Sequence, residues 1–238
     1  NSRANDTEYL PLPENLKDNV RFWIRVFTQI PSEKVILHDR NYPDIIYTVI
    51  QRDSSREDWD KIEEIRSYIS ENLEILSRCN DFQSDSLTRY QRELYLLWAS
   101  VKVPDKFLKA AENIRAQQGM SDRFKKSIIR SGEFLPYIKN VFKEHDVPEA
   151  LCYLPHVESS FKWNARSKVG AAGLWQFTYY TARKYMDINS LMDERYDPFA
   201  STVAAAKLLR DNYDELNSWP LAITAYNYGL NGIRRASE

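Results

Sequence analysis

Leu154-Pro155-His156-Val157-Glu158-Ser159-Ser160-Phe161 is the stretch on which the reading turns, an apolar segment that closes on a glutamate followed by two serines and a phenylalanine. Just upstream, Asp146-Val147-Pro148-Glu149 has the make-up of a helix start. It supplies an acidic residue to accept free amides, a proline tolerated in the first turn and a glutamate able to reach back. The spacing predicts a helix through Leu151, Tyr153 and Leu154, bent at Pro155 and ending near Glu158. A carboxyl held against Leu154, Val157 and Phe161 loses hydration, which disfavours its charged form and raises its pKa. Taken alone, a glutamate at a helix end is a solvated surface charge, so further residues must carry the argument.

They come in two later segments. Ala165-Arg166-Ser167-Lys168-Val169-Gly170-Ala171-Ala172-Gly173-Leu174-Trp175-Gln176-Phe177 combines small residues, which let backbone approach a large flat partner, with an indole and an amide. Sugars present complementary surfaces to such groups. Ala225-Tyr226-Asn227-Tyr228-Gly229 adds a phenol and a second amide before a glycine turn. Four of the six glycines (Gly170, Gly173, Gly229, Gly232) fall after Pro148, so the second half is where chemistry is expected.

Leu154 to Phe161, Gly170 to Phe177 and Ala225 to Gly229, in this order and spacing, resemble the lytic transglycosylases of the soluble-type superfamily, in particular the membrane-bound lytic murein transglycosylase D-like branch. Asp193-Glu194-Arg195-Tyr196-Asp197-Pro198, Ser201-Thr202 and Ala204-Ala205-Ala206 look like that branch's linking helix, and the likeness covers Pro148 to Gly232. Weaker similarity extends to Asn19-Val20-Arg21-Phe22-Trp23-Ile24 and Leu37-His38-Asp39-Arg40.

The resemblance implies a lysozyme-like helical catalytic domain acting on peptidoglycan glycan strands, without a cofactor. It implies that Glu158 cleaves the MurNAc-GlcNAc β-1,4 bond as acid and then base, leaving 1,6-anhydro-MurNAc ends. It also implies that Ser167 hydrogen-bonds near Glu158 or the acetamido group, that Gln176 binds sugar and that the Tyr226 hydroxyl orients Glu158. Trp175 and Phe177 would line the groove, and Asn227 would bind sugar or brace its loop. Plainer readings stand beside these: Ser167 as a helix cap, Asn227 as a turn residue. The rival carboxylates read as structural, Asp197 as an N-cap before Pro198 and Asp193 as a turn residue, and His156 reads as packing. A lysozyme-type hydrolase of the same bond and a non-catalytic peptidoglycan-binding scaffold remain as alternatives. Family likeness further implies a helix and another groove tyrosine beyond Glu238.

The remainder of the chain sets the class. Low glycine content and few alternating runs point to an all-α protein. One helix is expected after the cap cluster Asp53-Ser54-Ser55, with Trp59, Ile62, Ile65, Ile69, Leu73 and Leu76 as its apolar stripe. Others are expected over 19–30 (Val20, Trp23, Ile24 and Phe27 on one side), 44–50, 88–99, 105–115 and 122–130. Residues 1–146 then form a helical accessory region and 147–238 the catalytic domain. Composition, 43% hydrophobic and 28% charged with 33 Lys+Arg against 34 Asp+Glu, is that of a folded soluble protein with no basic surplus for nucleic acid. Cys79, Cys152 and three scattered histidines lack metal-ligand spacing, and two buried thiols are preferred to a disulfide. No run reaches the length of a membrane span. The start at Asn1 leaves room for a lost signal or lipid anchor, and peptidoglycan places the expected site of action in the periplasm, with outer-membrane anchoring left open.

Overall fold

A computed structural model of the chain describes residues 9–52, 57–79, 82 and 86–237. Two compact units emerge, residues 13–123 and residues 124–238, the latter joined by the segment up to Leu12.

In the first unit, helix α1 (Lys17–Thr28) buries Phe22 and Val26, which continue into Ile30. The side carrying Val20, Trp23 and Ile24 is exposed, contrary to the stripe expected there. This segment is apolar on both sides, and packing selects the residues spaced by four. Strands β1 (Lys34–Asp39), β2 (Ile46–Gln51) and β3 (Ile114–Gln118) make an antiparallel sheet in the order β2-β1-β3. The helix expected over 44–50 is therefore strand β2. Ile46-Tyr47-Thr48-Val49-Ile50 is β-branched or aromatic throughout, and such side chains lose rotamer freedom in a helix but suit a pleated surface.

Helix α2 (Glu57–Ser77) buries Ile62, Ile69, Leu73 and Leu76 as expected, while Trp59 lies exposed beneath the Arg52 guanidinium, 4.8 Å from its ring centroid. Its proposed cap cluster, Asp53 to Ser55, lies outside the described residues. Helix α3 (Arg89–Leu97) opens on a capping box in which Thr88 Oγ1 accepts from the Gln91 amide and the Gln91 side chain accepts from Thr88 N–H. Helix α4 (Lys106–Glu112) ends before Ile114, because the rest of the expected 105–115 helix is β3.

The second unit is helical. Helix α5 (Ser121–Glu144) is followed by a 3-10 turn (Glu149–Tyr153) and the single-turn helix α6 (Pro155–Glu158). The expected capped helix from Asp146 is thus split. Asp146 takes a left-handed φ of 53° and Glu149 pairs with Lys139 at 2.7 Å instead of reaching back. Beyond a long loop come α7 (Tyr179–Ala182), α8 (Pro198–Leu216), α9 (Trp219–Tyr228) and α10 (Leu230–Ser237). Asp197 caps α8 as expected, its Oδ1 accepting from Phe199 N at 2.7 Å and Ala200 N at 3.1 Å. The core joins Ile138 and Phe142 of α5, Phe161 and Trp175 of the loop, Ala204-Ala205-Ala206 and Leu209 of α8 and Ala222 of α9.

Helices dominate the described chain, in line with the all-α reading, with the small sheet confined to the first unit. Cys152 sits in the core of the second unit and Cys79 packs against that of the first. Among the described residues no helix is long and apolar enough to cross a membrane, and no group of His, Cys, Asp or Glu is arranged to hold a metal.

Candidate active site

Glu158 is the last residue of α6, its amide bonded to Leu154 O at 3.1 Å. Its side chain is half-buried, and among the described residues it receives no hydrogen bond. Burial alone raises its pKa above the ordinary glutamate range, because the charged form loses water without a compensating donor. Chain direction then reverses sharply: Ser160 and Phe161 both take left-handed φ values, 54° and 56°. Ser159, buried between them and Glu158, donates its hydroxyl to Leu174 O at 2.7 Å and so ties this turn to the next motif.

That next motif is a braced loop. Ser167 Oγ accepts from Ala171 N at 2.9 Å, while its own N–H donates to Ala171 O at 2.8 Å. The serine therefore closes its own turn. Gly173 takes φ 79°, and a Cβ there would lie 1.6 Å from Arg195 O, so only glycine admits this approach. Arg195 holds the loop from outside, donating to Gly170 O at 3.0 Å while its other nitrogens engage Asp193. Gln176, at φ 50°, donates its amide N–H groups to Gly173 O at 2.9 Å and, weakly, to Ala165 O at 3.4 Å. The Gln176 side-chain oxygen is what remains to accept from a ligand.

The aromatic residues of this loop depart from expectation. Trp175 is 0% exposed, stacked on Phe142 with 5.3 Å between ring centroids, and its Nε1–H donates to Thr202 Oγ1 at 2.9 Å. Phe177 is 3% exposed in the same core. Neither ring faces solvent, which corrects the expectation that both line a groove: a stacking platform needs an open face, and these faces are filled by core packing. Tyr226, on α9, lies edge-on to Phe177 at 6.1 Å. Its hydroxyl donates to Trp175 O at 2.6 Å, so the one proton it can donate goes to the loop backbone and not to Glu158. Burial first, and then the neighbouring charge of Glu158, push this phenol far above its ordinary pKa, which keeps it neutral and places it close to the carboxyl.

Asn227 is exposed, with one long bond to Ile223 O at 3.5 Å, and borders a cavity of about 620 Å³ together with Tyr226, Thr178 and Asn212. Glu158 does not border that cavity, whereas Tyr226 borders it and also feels the Glu158 charge. The arrangement thus holds one carboxyl that is easily protonated, a neutral phenol beside it and a glycine-rich loop pinned at both ends. The rival carboxylates are committed elsewhere, Asp193 to Arg195 and Asp197 to its cap. His156, as expected, is a packing residue, buried between Phe124 and Phe161.

Comparison with known proteins agrees with this architecture. Residues 136–238 match the family model described as the transglycosylase SLT domain. This part of the chain is similar to SLT domains. The membrane-bound lytic murein transglycosylase D of Escherichia coli (strain K12) is 34% identical over 110 residues, which make up 45% of this chain and 24% of that protein. Its counterpart in a second Escherichia coli strain matches equally. A protein of Alteromonas sp. (strain M-1) named for tributyltin chloride resistance is 32% identical over 109 residues, 45% of this chain and 53% of that protein. The chain therefore spans about a quarter of the first relative and about half of the third.

The SLT domain is lysozyme-like and helical, which agrees with the fold that the three motifs implied. Sequence reasoning did not single out Ser159 or Arg195 for their roles in this domain. Ser159 lay in the quoted motif, but its bond to Leu174 depends on a turn made by two left-handed residues, a conformation that a Ser-Phe pair does not advertise.

Proposed function

We propose that the chain is a peptidoglycan lytic transglycosylase in which Glu158 serves alone, first as acid and then as base. The protonated carboxyl gives its proton to the glycosidic oxygen as the bond to C1 of N-acetylmuramic acid breaks. The resulting carboxylate takes the proton of that sugar's C6 hydroxyl while O6 bonds to C1, closing a 1,6-anhydro ring and returning Glu158 to its starting form. No water is consumed, and the sugar's N-acetyl group supports the cationic centre. Most glycosidases divide these tasks between two carboxylates.

The observation that carries the reading is the state of Glu158: half-buried, bound to no donor among the described residues and raised in pKa by burial alone. A group of this kind keeps its proton to higher pH than an exposed glutamate does, which suits it to yield that proton to a leaving oxygen. The engagement of Asp193 and Asp197 supports a single-carboxylate route. Similarity to the transglycosylase SLT domain and to the membrane-bound lytic murein transglycosylase D of Escherichia coli supports the reaction and the murein substrate.

Around Glu158, the Gln176 oxygen and Asn227 are the substrate contacts, and Ser167 shapes the loop that presents Gln176. Catalysis belongs to residues 147–238, with the preceding region accessory to it. The substrate places the enzyme in the periplasm, with a membrane anchor as a feature of the whole protein. Digestion of purified sacculi, followed by mass analysis, tests the proposal. Released muropeptides should be one water lighter than reducing-end products. Reducing ends would instead assign a lysozyme-type hydrolase, and intact sacculi retaining the bound protein would assign a scaffold.

A further inference from the structure

Two side chains on one face of α5 grip the Glu158 segment on either side of the carboxyl. Ser127 meets His156, two residues before Glu158, with 2.7 Å between Oγ and Nδ1. Arg130, one turn further along, donates from Nε at 2.9 Å and Nη2 at 2.6 Å to the carbonyl of Ser160, two residues after it. Residues three apart on a helix share a face, so the pair acts as one clamp.

What Arg130 holds is a strained backbone. Ser160 and Phe161 are successive non-glycine residues in the left-handed region, where Cβ crowds the following carbonyl. The turn folds back on the start of α6, with both Ser159 N and Phe161 N donating to Pro155 O, at 3.1 Å and 3.0 Å. Phe161 is thereby driven into the core at 0% exposure, its ring edge-on to His156 at 4.5 Å. Only one side chain bonds the Ser160 carbonyl among the described residues, and it does so with a paired, charge-assisted fork. Arg130 is not among the influences on the Glu158 carboxyl, so its action runs through the backbone and not through its charge.

We propose that Arg130 is a positioning residue for Glu158, holding the carboxyl in its half-buried setting through the carbonyl of Ser160. This rests on Glu158 being the acid of the proposed reaction, and it adds a residue outside the three motifs that carried that reading. The groups whose ionisation bears on the test are few. Tyr226 from α9 is neutral, and His156 is held below its ordinary pKa by burial first and by Arg130 second.

The test follows the Glu158 carboxyl directly, by NMR titration of chain labelled with ¹³C at glutamate side-chain carboxyls, with Glu158→Gln to assign the signal. Arg130→Gln should lower the titration midpoint toward that of an ordinary glutamate, because a loosened turn admits water. On sacculi the same variant should lose about 10-fold in kcat with KM within about 2-fold of wild type, as displacement of a reacting group does. Arg130→Lys, which keeps one donor, should recover part of both effects. A folded Arg130→Gln with the wild-type midpoint and kcat would overturn the proposal. So would a lower melting temperature with neither quantity changed, since that is what a purely structural bond gives. If the glutamine variant does not fold, the lysine variant decides: a midpoint below wild type supports the clamp and an unchanged one overturns it. The titration does not depend on the reaction, so a chain that released no anhydro product would remove the functional reading while leaving the clamp tested.

Discussion

Replacing Tyr226 with phenylalanine separates two accounts of the same hydroxyl. In the structure it donates to Trp175 O at 2.6 Å, and Trp175 is fully buried, so the variant leaves a buried carbonyl without that partner. Losing one side of a buried pair costs about 1–3 kcal/mol, mostly the desolvation of the orphaned group. For a chain of this length the middle of that range lowers Tm by about 4–8 °C. The phenol is neutral at working pH, so its removal should leave the pH dependence of turnover nearly unchanged, while turnover falls modestly as the Trp175-Gln176 loop loosens. Calorimetry and a pH-rate profile on sacculi measure both quantities. A Tm within 1 °C of wild type, together with a displaced pH profile, would refute the latch and restore the hydroxyl to Glu158.

Gly173→Ala should cost more than about 4 kcal/mol, since the new Cβ would meet the Arg195 carbonyl oxygen at 1.6 Å and the residue sits at φ 79°; urea unfolding checks it, and an unchanged midpoint would contradict the loop geometry. Stability should depend on pH through Glu158. A carboxyl whose folded-state pKa is raised stabilises the fold fully below its unfolded-state pKa and progressively less as pH rises through the folded-state value. Glu158→Gln imitates the protonated form, so it should melt higher than wild type at pH 7, and the difference should vanish below about pH 4, where both states are protonated. Equal melting temperatures at pH 7 would mean that the carboxyl is well solvated.

How much of this was legible beforehand follows the reach of each interaction. The α2 stripe at Ile62, Ile69, Leu73 and Leu76 and the cap at Asp197 are local, carried by residues a few positions apart, and they stand as read, although Trp59 of the same stripe is exposed. The strand over 46–51 was mistaken for helix because a short apolar run has no period of its own; its pairing with Lys34–His38 decides its state. Trp175 and Phe177 were expected at a groove because an indole beside a glutamine suits a sugar. Their burial is set by Phe142 and Thr202, thirty-three residues before and twenty-seven after Trp175, which no local pattern reports. Tyr226 was expected in the site with its hydroxyl on Glu158, and the partner the hydroxyl has instead was not foreseen, since that bond joins residues 51 positions apart. Arg130 is the extreme case: on an amphipathic helix it reads as a solvated charge, and only the left-handed turn at Ser160 gives it work.

The measurement that bears most directly on Glu158 as the sole acid and base is the release of soluble muropeptides from sacculi by wild type and Glu158→Gln, with folding of both followed by circular dichroism. The account predicts anhydro products from wild type and a loss of about 10²-fold or more in the variant, which stays folded and still binds sacculi. A variant that cleaves near the wild-type rate would contradict it.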